Sequence, residues 1–280
     1  MITFLKSIGI GLLVIIVMVG PWSILASLNL HTTPSLPWSA PVMAVYLWSA
    51  WRYAGGIGPP RSTREFRRAL LRARALTLRE WRTCLHTGVL AIAALWSLYG
   101  VVSIYIPAHI QRTTTTALPI QSMVAAVLMS ALVAAVSEEA GCRGYMQVPL
   151  EKRFGPAVAI ASSAIVFTAI HLGHGASVLQ LLPFYAAAGV VYGLLAYAAG
   201  SILPALVLHF IGDLILFSLR SFHIVLWKTQ KPSSWQNTYA TLGVASAVVF
   251  MVGSVLAFRR LLRQRGGVFS RTQTQRNCLD

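Results

Sequence analysis

The sequence predicts an all-α, polytopic membrane protein, and three observations support this prediction. Of its 280 residues, 56% are hydrophobic and 11% are charged, whereas soluble domains are typically about 25% charged. The mean hydropathy is +0.67. Several apolar runs approach or exceed the roughly 20 residues that a helix needs to cross a bilayer. We therefore predict a single integral membrane domain over residues 1–280.

Eight apolar segments qualify as membrane-spanning helices. They cover residues 4–28, 38–53, 85–106, 123–146, 156–171, 178–199, 202–219 and 239–258. The first segment lacks a small-residue cleavage site, so we expect a membrane helix there and not a cleaved signal peptide. Pro156 begins the fifth segment, and proline suits the first turn of a helix.

A basic stretch separates the second and third segments. Residues 61–82 carry eight arginines, with Leu, Ala, Phe and Trp between them. This pattern is typical of a basic amphipathic helix that lies on a membrane surface. A solvated charged loop is the alternative.

The net charge is +16, and the arginines flank apolar segments. We therefore attribute the charge to orientation and to contact with anionic lipid, and not to nucleic-acid binding. With both termini inside, 17 of the 23 Lys and Arg residues lie on the cytoplasmic side, including those of a basic tail at residues 259–280. This bias predicts cytoplasmic termini. The short loops favour the inner (cytoplasmic) membrane of a bacterium.

Two adjacent carboxylates lie at the end of the fourth segment. The chain has seven acidic residues, and Glu138 and Glu139 are two of them. A charge at bilayer depth costs roughly 3 kcal/mol on insertion scales, so such groups are usually functional. Glu139 and Arg143 are four residues apart and can pair on one face of a helix. We predict a structural role for this pair and a reactive role for Glu138; the alternative is that both glutamates only form interhelical salt bridges.

Two further motifs place histidines on apolar helices. Phe167 lies one turn before His171, where its ring can pack against the imidazole and limit water. His209 and Asp213 share a helix face, where the carboxylate can orient the imidazole or both can bind one ligand. Together with Glu138, these residues give two histidines and two carboxylates on three apolar helices, and we predict that they form one site.

Such a set suits hydrolysis. Glu138 can accept a proton from water, and an imidazole can hold that water or stabilise the oxyanion that forms on a peptide carbonyl. The same side chains are also a possible ligand set for a divalent metal such as zinc: Glu138, His171, His209 and Asp213. The residues alone leave both mechanisms open. A nucleophilic role for Cys142 is less favoured, because apolar surroundings disfavour the thiolate.

The three motifs occur in a fixed order: Glu138-Glu139-x-x-x-Arg143, then Phe167-x-x-x-His171, then His209-x-x-x-Asp213. In this order they resemble the motifs of the CPBP family, the CAAX-processing and bacteriocin-processing intramembrane proteases. The resemblance covers roughly residues 120–220. It implies an eight-helix membrane endopeptidase whose site lies inside the bilayer and opens to the cytoplasmic side.

The resemblance also implies roles. Glu138 would be the base that activates water, with His171 beside it, while His209 and Asp213 would form the oxyanion side. An ionised Asp213 cannot donate a hydrogen bond, so it is protonated, orients His209 or binds a metal. Members of this family are labelled both metalloproteases and glutamate-dependent enzymes, so the resemblance leaves open whether a divalent metal is required.

The expected function is hydrolysis of a peptide bond near a terminus of a membrane-associated or lipidated protein or peptide. The expected partners are membrane lipid and such a substrate. The alternative is a non-enzymatic membrane protein, either a proton- or ion-coupled transporter or an immunity-type scaffold.

The predicted segments conflict with the site in one respect. They place Glu138 near the inner end of one helix and His171 near the outer end of the next. The helix over residues 156–171 would be about 22 Å long at ~1.5 Å per residue. The two side chains can meet only if residues 148–155 lie deep or the fifth helix starts below the membrane surface.

Overall fold

The computed structural model describes residues 2–105, 118–174, 179, 181–221 and 234–277, with side chains described within 2–101, 118–173, 179, 181–219 and 237–263. Throughout these ranges the regular elements are helices, and no strand occurs in them. The all-α prediction is confirmed. The predicted end of the third segment and most of the basic tail's side chains lie outside the described residues.

The elements of the described part follow one another in chain order. The α-helices are α1 (Ile2–Thr32), α2 (Ser39–Ala54), α3 (Arg64–Leu71), α4 (Leu78–Tyr105), α5 (Ile120–Glu138), α6 (Gln147–Phe154), α7 (Pro156–Ile170), α8 (Leu182–Ala199), α9 (Leu203–Ser221) and α10 (Ser234–Asn277). A π-helix, Glu139–Met146, joins α5 to α6. Turns of 3₁₀ helix, Arg61–Thr63 and His171–His174, precede α3 and follow α7.

Six helices of the described part are long and apolar enough to cross a membrane. By length and composition they are Ile2–Thr32, Leu78–Val101, Ile120–Phe154, Pro156–Gly173, Leu182–Ala199 and Asn237–Arg263. A shorter apolar helix, Leu203–Leu219, lies within α9. Large apolar side chains such as Ile16, Ile165 and Val249 are exposed, as contact with lipid requires. The chain is an integral membrane protein, and the polytopic prediction is confirmed.

The π-helix is the most enclosed element, since all eight of its residues are buried. Two glycines allow neighbouring backbones to approach it. A Cβ atom on Gly141 would lie 2.6 Å from the carbonyl oxygen of Gly11 in α1, and one on Gly144 would lie 3.1 Å from that of Leu70 in α3. The helices α1 and α3 therefore hold the π-helix from two sides.

The helix α8 packs closely against α7 through small residues. A Cβ atom on Gly189 would lie 3.0 Å from Cα of Ala164, and one on Gly193 would lie 3.0 Å from Cγ2 of Ile160. Small residues at such a contact are the usual device of membrane helices. The interface places α7 and α8 together beside the π-helix, which both of them contact.

The chain stays buried in the first half of α6. Gln147, Val148 and Leu150 are all buried, so the chain continues inside the protein after the π-helix. Lys152, at the end of α6, is exposed. Gly155 then turns the chain with φ of +82°, and α7 begins at Pro156. The depth of residues 148–155 in the membrane stays a prediction.

The basic stretch differs from the prediction. A basic helix is present in this stretch, but it is shorter than the predicted residues 61–82, because α3 covers only Arg64–Leu71 and α4 begins at Leu78. The chain leaves α3 at Arg72, which has the left-handed conformation with φ of +52°. Arg67 donates to the carbonyl oxygens of Tyr53 and Gly58 at 2.7 Å. Arg67 is therefore part of the fold, whereas Arg64 and Arg68 are exposed on α3.

Candidate active site

The imidazole of His209 lies between three carboxylates. Its Nδ1–H donates to Oε1 of Glu139 at 2.9 Å. Its Nε2 lies 3.3 Å from Oδ2 of Asp213 and 3.8 Å from Oε2 of Glu138. The ring itself is buried. The first and third predicted motifs are therefore brought together, although they are about 70 residues apart in the chain.

The ion pair of Glu139 and Arg143 is present, as predicted. Nη1 of Arg143 lies 3.2 Å from Oε1 of Glu139, and both side chains are fully buried. Nη2 of Arg143 also donates to the carbonyl oxygen of Gly189 in α8 at 3.2 Å. The guanidinium lies over the ring of Phe167, 4.3 Å from its centroid. The pair therefore fixes the π-helix to both α7 and α8.

The two glutamates share one imidazole, which the sequence reasoning missed. Successive residues of a helix point about 100° apart, and this predicted that Glu138 and Glu139 serve different faces. His209 enters between them from α9, so that each carboxylate approaches a different ring nitrogen. Glu139 contacts Nδ1 and Glu138 faces Nε2. Separate roles for the two glutamates remain compatible with this geometry.

A proton has to lie between His209 and Asp213. Because Nδ1 carries the hydrogen that it donates to Glu139, a neutral ring would present the lone pair of Nε2 to the nearby oxygen of Asp213. A lone pair that faces a carboxylate is repulsive. The contact of 3.3 Å is favourable when His209 is an imidazolium or when Asp213 carries the proton.

Phe167 connects the second motif to the first and third. Its ring centroid lies 4.8 Å from that of His171 and 5.7 Å from that of His209. The predicted packing of Phe167 on His171 is thus present. Nδ1–H of His171 donates to the carbonyl oxygen of Phe167 at 2.7 Å, so Nε2 of a neutral His171 carries the lone pair. Both histidines therefore contact one aromatic ring.

Two tyrosines of α8 complete the walls of the site. Tyr192 stacks on His209 with a centroid distance of 4.9 Å and an interplanar angle of 16°. Tyr185 stacks on His171 at 3.9 Å and 27°. Neither residue was predicted as part of the site. Their separation of seven residues, two helical turns, places them on one face of α8, and this spacing was the signal available in the sequence.

The site is buried on one side and open on the other. The side chains of Glu139 and Arg143 have no exposed surface, whereas those of Glu138 and Asp213 are 13% and 20% exposed. Oε2 of Glu138 has no hydrogen-bond partner among the described residues. The exposed surface of the site therefore belongs to Glu138 and Asp213, although Oε2 of Glu138 is itself buried, and the ion pair behind them has none.

The donor geometry does not gather a metal-ligand set. Among the described residues, no group of three or more His, Cys, Asp or Glu side chains is arranged to hold a metal ion. His171 and His209 each use Nδ1 in a hydrogen bond, which leaves Nε2 of each ring for a ligand or for substrate chemistry. The chemistry proposed below uses the side chains alone.

Cys142 does not join this arrangement. Its side chain is buried and packs in an apolar cluster with Ile15, Met146 and Leu150. Such surroundings are ordinary for a structural cysteine and disfavour a thiolate.

The comparison with protein-family models now bears on this geometry. The family described as "Type II CAAX prenyl endopeptidase Rce1-like" matches residues 119–215. Residues 119–215 are thus similar to this family, and we refer to them as the Rce1-like segment. It extends from the start of α5 into α9 and contains all seven predicted site residues. The resemblance to CAAX-processing proteases is confirmed. Neither the search of curated proteins nor that of solved structures found a match.

The Rce1-like segment depends on helices outside it. It comprises about a third of the chain, and the π-helix within it is held by Gly11 of α1 and Leu70 of α3. The basic stretch at residues 72–77, which follows α3, also contacts this segment, since Arg72 donates to the carbonyl oxygen of Arg143 at 3.0 Å. The matched segment supplies the polar side chains, and the rest of the chain encloses them.

Proposed function

We propose that this protein is an intramembrane endopeptidase, which hydrolyses a peptide bond near a terminus of a membrane-associated or lipidated protein or peptide. The family match supports the activity at the level of a CAAX-type peptidase. The single observation that carries the finer proposal is Glu138. Its carboxylate oxygen Oε2 is buried 3.8 Å from Nε2 of His209 and lacks a hydrogen-bond partner among the described residues.

In the proposed reaction, Glu138 is the general base. It takes a proton from a water molecule, and the oxygen of that water forms a bond to the carbonyl carbon of the substrate. Nε2 of His171 accepts the second hydrogen of this water and orients it. A buried carboxylate oxygen without a partner costs about 1–3 kcal/mol. Such a group is well suited to bind water, because the water replaces the missing hydrogen bond.

His209 is the proposed oxyanion donor. As an imidazolium, it keeps Nδ1–H on Glu139 and can turn Nε2–H from Asp213 to the oxygen that becomes negative. Asp213 then acts by keeping that proton on His209 before the substrate binds. When the carbon–nitrogen bond breaks, Glu138 returns its proton to the leaving amine. The products are a carboxylate and an amine.

The proposed substrate enters from the membrane. The site residues lie on three membrane-length helices and on the apolar helix α9, so a substrate already held in the bilayer can reach them laterally. The proposed setting is the cytoplasmic membrane of a bacterium, with both termini in the cytoplasm and the whole chain as one domain. Membrane lipid is then the second partner.

The test compares the termini of membrane proteins in cells that carry the wild type or Glu138→Gln at matched expression. Glutamine keeps the shape of the side chain and removes the base, so we expect at least one processed terminus to disappear. A fall in cleavage of about 10²–10⁴-fold is typical when a general base is lost. Glu80→Gln is the matched control, because Glu80 pairs with Arg74 at the surface and we expect it to leave processing intact.

The same variants should be purified to show that Glu138→Gln remains folded. If Glu138→Gln is folded and every terminus is unchanged while ion flux or a resistance phenotype changes, the protease proposal is wrong. The transporter or scaffold interpretation then replaces it.

A further inference from the structure

A basic groove lies at one end of the helix bundle, apart from the site described above. It has a volume of about 630 Å³, which is within the range of small-molecule sites. The end of α2, the helix α3, the stretch that follows α3 and the turn after α8 form its walls. Four arginines line it: Arg52, Arg68, Arg72 and Arg74.

Two of these arginines already have carboxylate partners. Arg72 pairs with Glu151 at 2.8 Å, and Arg74 pairs with Glu80 at 2.6 Å. Arg52 and Arg68 make no ion pair with any described carboxylate, although the guanidinium of Arg52 lies 4.7 Å from the ring centroid of Trp48. The groove therefore has two guanidinium groups available for an anion. Guanidinium groups suit phosphate, because they can donate two parallel hydrogen bonds to its oxygens.

One carboxylate and several apolar side chains share the walls. Glu65 also lines the groove and makes no ion pair with a described residue, and it reduces the positive charge there by one. Trp51, Ile57 and Leu71 supply apolar surface beside the arginines. A groove that is basic in one part and apolar in another matches a molecule with a charged head and an apolar body.

The position of the groove at the ends of membrane helices favours a lipid as its ligand. The groove lies where α2 and α8 end and where α4 begins, and α4 and α8 are membrane-length helices. The ends of such helices lie at the depth of lipid headgroups, where arginine and tryptophan are favoured.

We propose that this groove binds the phosphate group of one anionic lipid through Arg52 and Arg68, with the apolar wall against the upper part of the lipid. The proposal does not depend on the peptidase function. A soluble phosphate compound presents the same group, so the experiment has to distinguish the two sources.

The test uses the full chain purified in a neutral detergent and native mass spectrometry with added phosphatidylglycerol or phosphatidylcholine. We expect the wild type to retain one phosphatidylglycerol in preference to phosphatidylcholine. The double variant Arg52→Gln/Arg68→Gln should bind it at least about 10-fold more weakly, since one hydrogen bond to a charged group corresponds to a factor of that order. Adding inorganic phosphate or glycerol phosphate separates the sources, because only a site for soluble phosphate loses the lipid at millimolar concentrations.

The matched control is Arg79→Gln/Arg82→Gln. These arginines are exposed and do not line the groove, and their loss changes the net charge by the same amount. Glu65→Gln removes a negative charge from the groove, so it should strengthen the binding of phosphatidylglycerol a few-fold. Thermal unfolding without lipid shows whether each variant is folded.

The proposal is overturned if both arginine pairs weaken binding equally, or if Arg52→Gln/Arg68→Gln is folded and binds phosphatidylglycerol as the wild type does. If Arg52→Gln/Arg68→Gln does not fold, an unchanged affinity in Glu65→Gln also overturns the proposal.

Discussion

At the scale of single residues, one oxygen of Glu139 has two partners. Oε1 accepts from His209 and faces the guanidinium of Arg143, with all three side chains buried. A buried charge is tolerable only when its partner remains. Glu139 therefore fixes the ring of His209 and neutralises Arg143 at the same time.

This arrangement predicts that Glu139→Gln acts mainly on stability. Removing one partner of a buried ion pair costs about 3–5 kcal/mol, because the other charge is left uncompensated. We expect the variant to accumulate poorly and to unfold at lower temperature in detergent, whereas Glu138→Gln should unfold close to the wild type. Unfolding followed by fluorescence measures both. Equal unfolding temperatures for Glu139→Gln and the wild type would contradict a structural role for Glu139.

A second prediction concerns Tyr192, a positioning residue that stacks on His209. Aromatic stacking contributes about 0.5–1.5 kcal/mol beyond burial. Tyr192→Leu should therefore reduce kcat for peptide cleavage up to about 10-fold and leave KM nearly constant, because the ring of His209 loses its fixed plane. Tyr192→Phe keeps the stack and should restore most of kcat. If Phe is as damaging as Leu, the hydroxyl matters and the stack does not.

The site residues could be predicted from the sequence because charged and polar groups are rare in apolar helices. Glu138, His171, His209 and Asp213 stand out for this reason. The contact of Glu139 with Nδ1 of His209 could not be predicted, because it depends on how α9 enters beside the π-helix. Motif spacing describes one helix at a time, and this contact joins two.

At the scale of elements, the π-helix determines where the two glutamates point. Such segments are rare and often occur at functional sites. Here the segment begins at Glu139, directly after Glu138, and ends at Met146. It is enclosed by α1, whose backbone at Gly11 approaches that of Gly141. A helix outside the Rce1-like segment thus supports the register of the residues inside it.

The close approach predicts that Gly141→Ala is destabilising. Its Cβ atom would lie 2.6 Å from the carbonyl oxygen of Gly11, and a backbone atom cannot move aside as a side chain can. Overpacking of this kind costs about 1–3 kcal/mol. Gly11→Ala should behave likewise. Gly9→Ala is the matched control, because nothing lies within 4 Å of its Cβ position and alanine favours the helix.

Thermal unfolding of the three purified variants measures this difference. A Gly141→Ala protein as stable as Gly9→Ala would show that α1 is able to move away from the π-helix without cost. Reduced cleavage by a folded Gly141→Ala protein would in turn show that the contact with α1 orients Glu138.

The sequence predicted the helices whose position depends on hydrophobicity. It did not predict the segments whose conformation depends on hydrogen bonds to other elements. Long apolar segments gave α1, α4 and α7 close to their observed positions. The helix predicted at residues 61–82 is shorter than expected, and the sequence did not indicate that Arg67 and Arg72 bind backbone carbonyl oxygens of other elements. Periodicity within the stretch could not indicate partners that lie elsewhere in the fold.

At the scale of the whole molecule, a chain of polar contacts joins the basic groove to the candidate active site. Arg72 lines the groove and donates to the carbonyl oxygen of Arg143 in the π-helix. It also pairs with Glu151, which accepts from Gln147, and Gln147 donates to the carbonyl oxygen of Gly193. These contacts connect the stretch after α3 with α6 and α8. No sequence pattern predicted them, since their members come from four separate segments.

The two arginines that follow α3 provide a comparison of buried and exposed ion pairs. The pair of Arg72 and Glu151 is nearly buried, with side chains 11% and 12% exposed, whereas those of Arg74 and Glu80 are 49% and 37% exposed. Breaking a buried pair costs about 3–5 kcal/mol, and an exposed pair contributes about 0–1 kcal/mol. Arg72→Met should therefore lower the unfolding temperature in detergent far more than Arg74→Met.

High salt separates the two effects further, because screening weakens exposed pairs and hardly affects buried ones. The loss in Arg72→Met should thus persist in high salt, while the small loss in Arg74→Met should vanish. Similar unfolding temperatures for the two variants would mean that the stretch after α3 is not part of the folded core. In that case the groove is a flexible surface, and its link to the π-helix does not contribute to holding the glutamates.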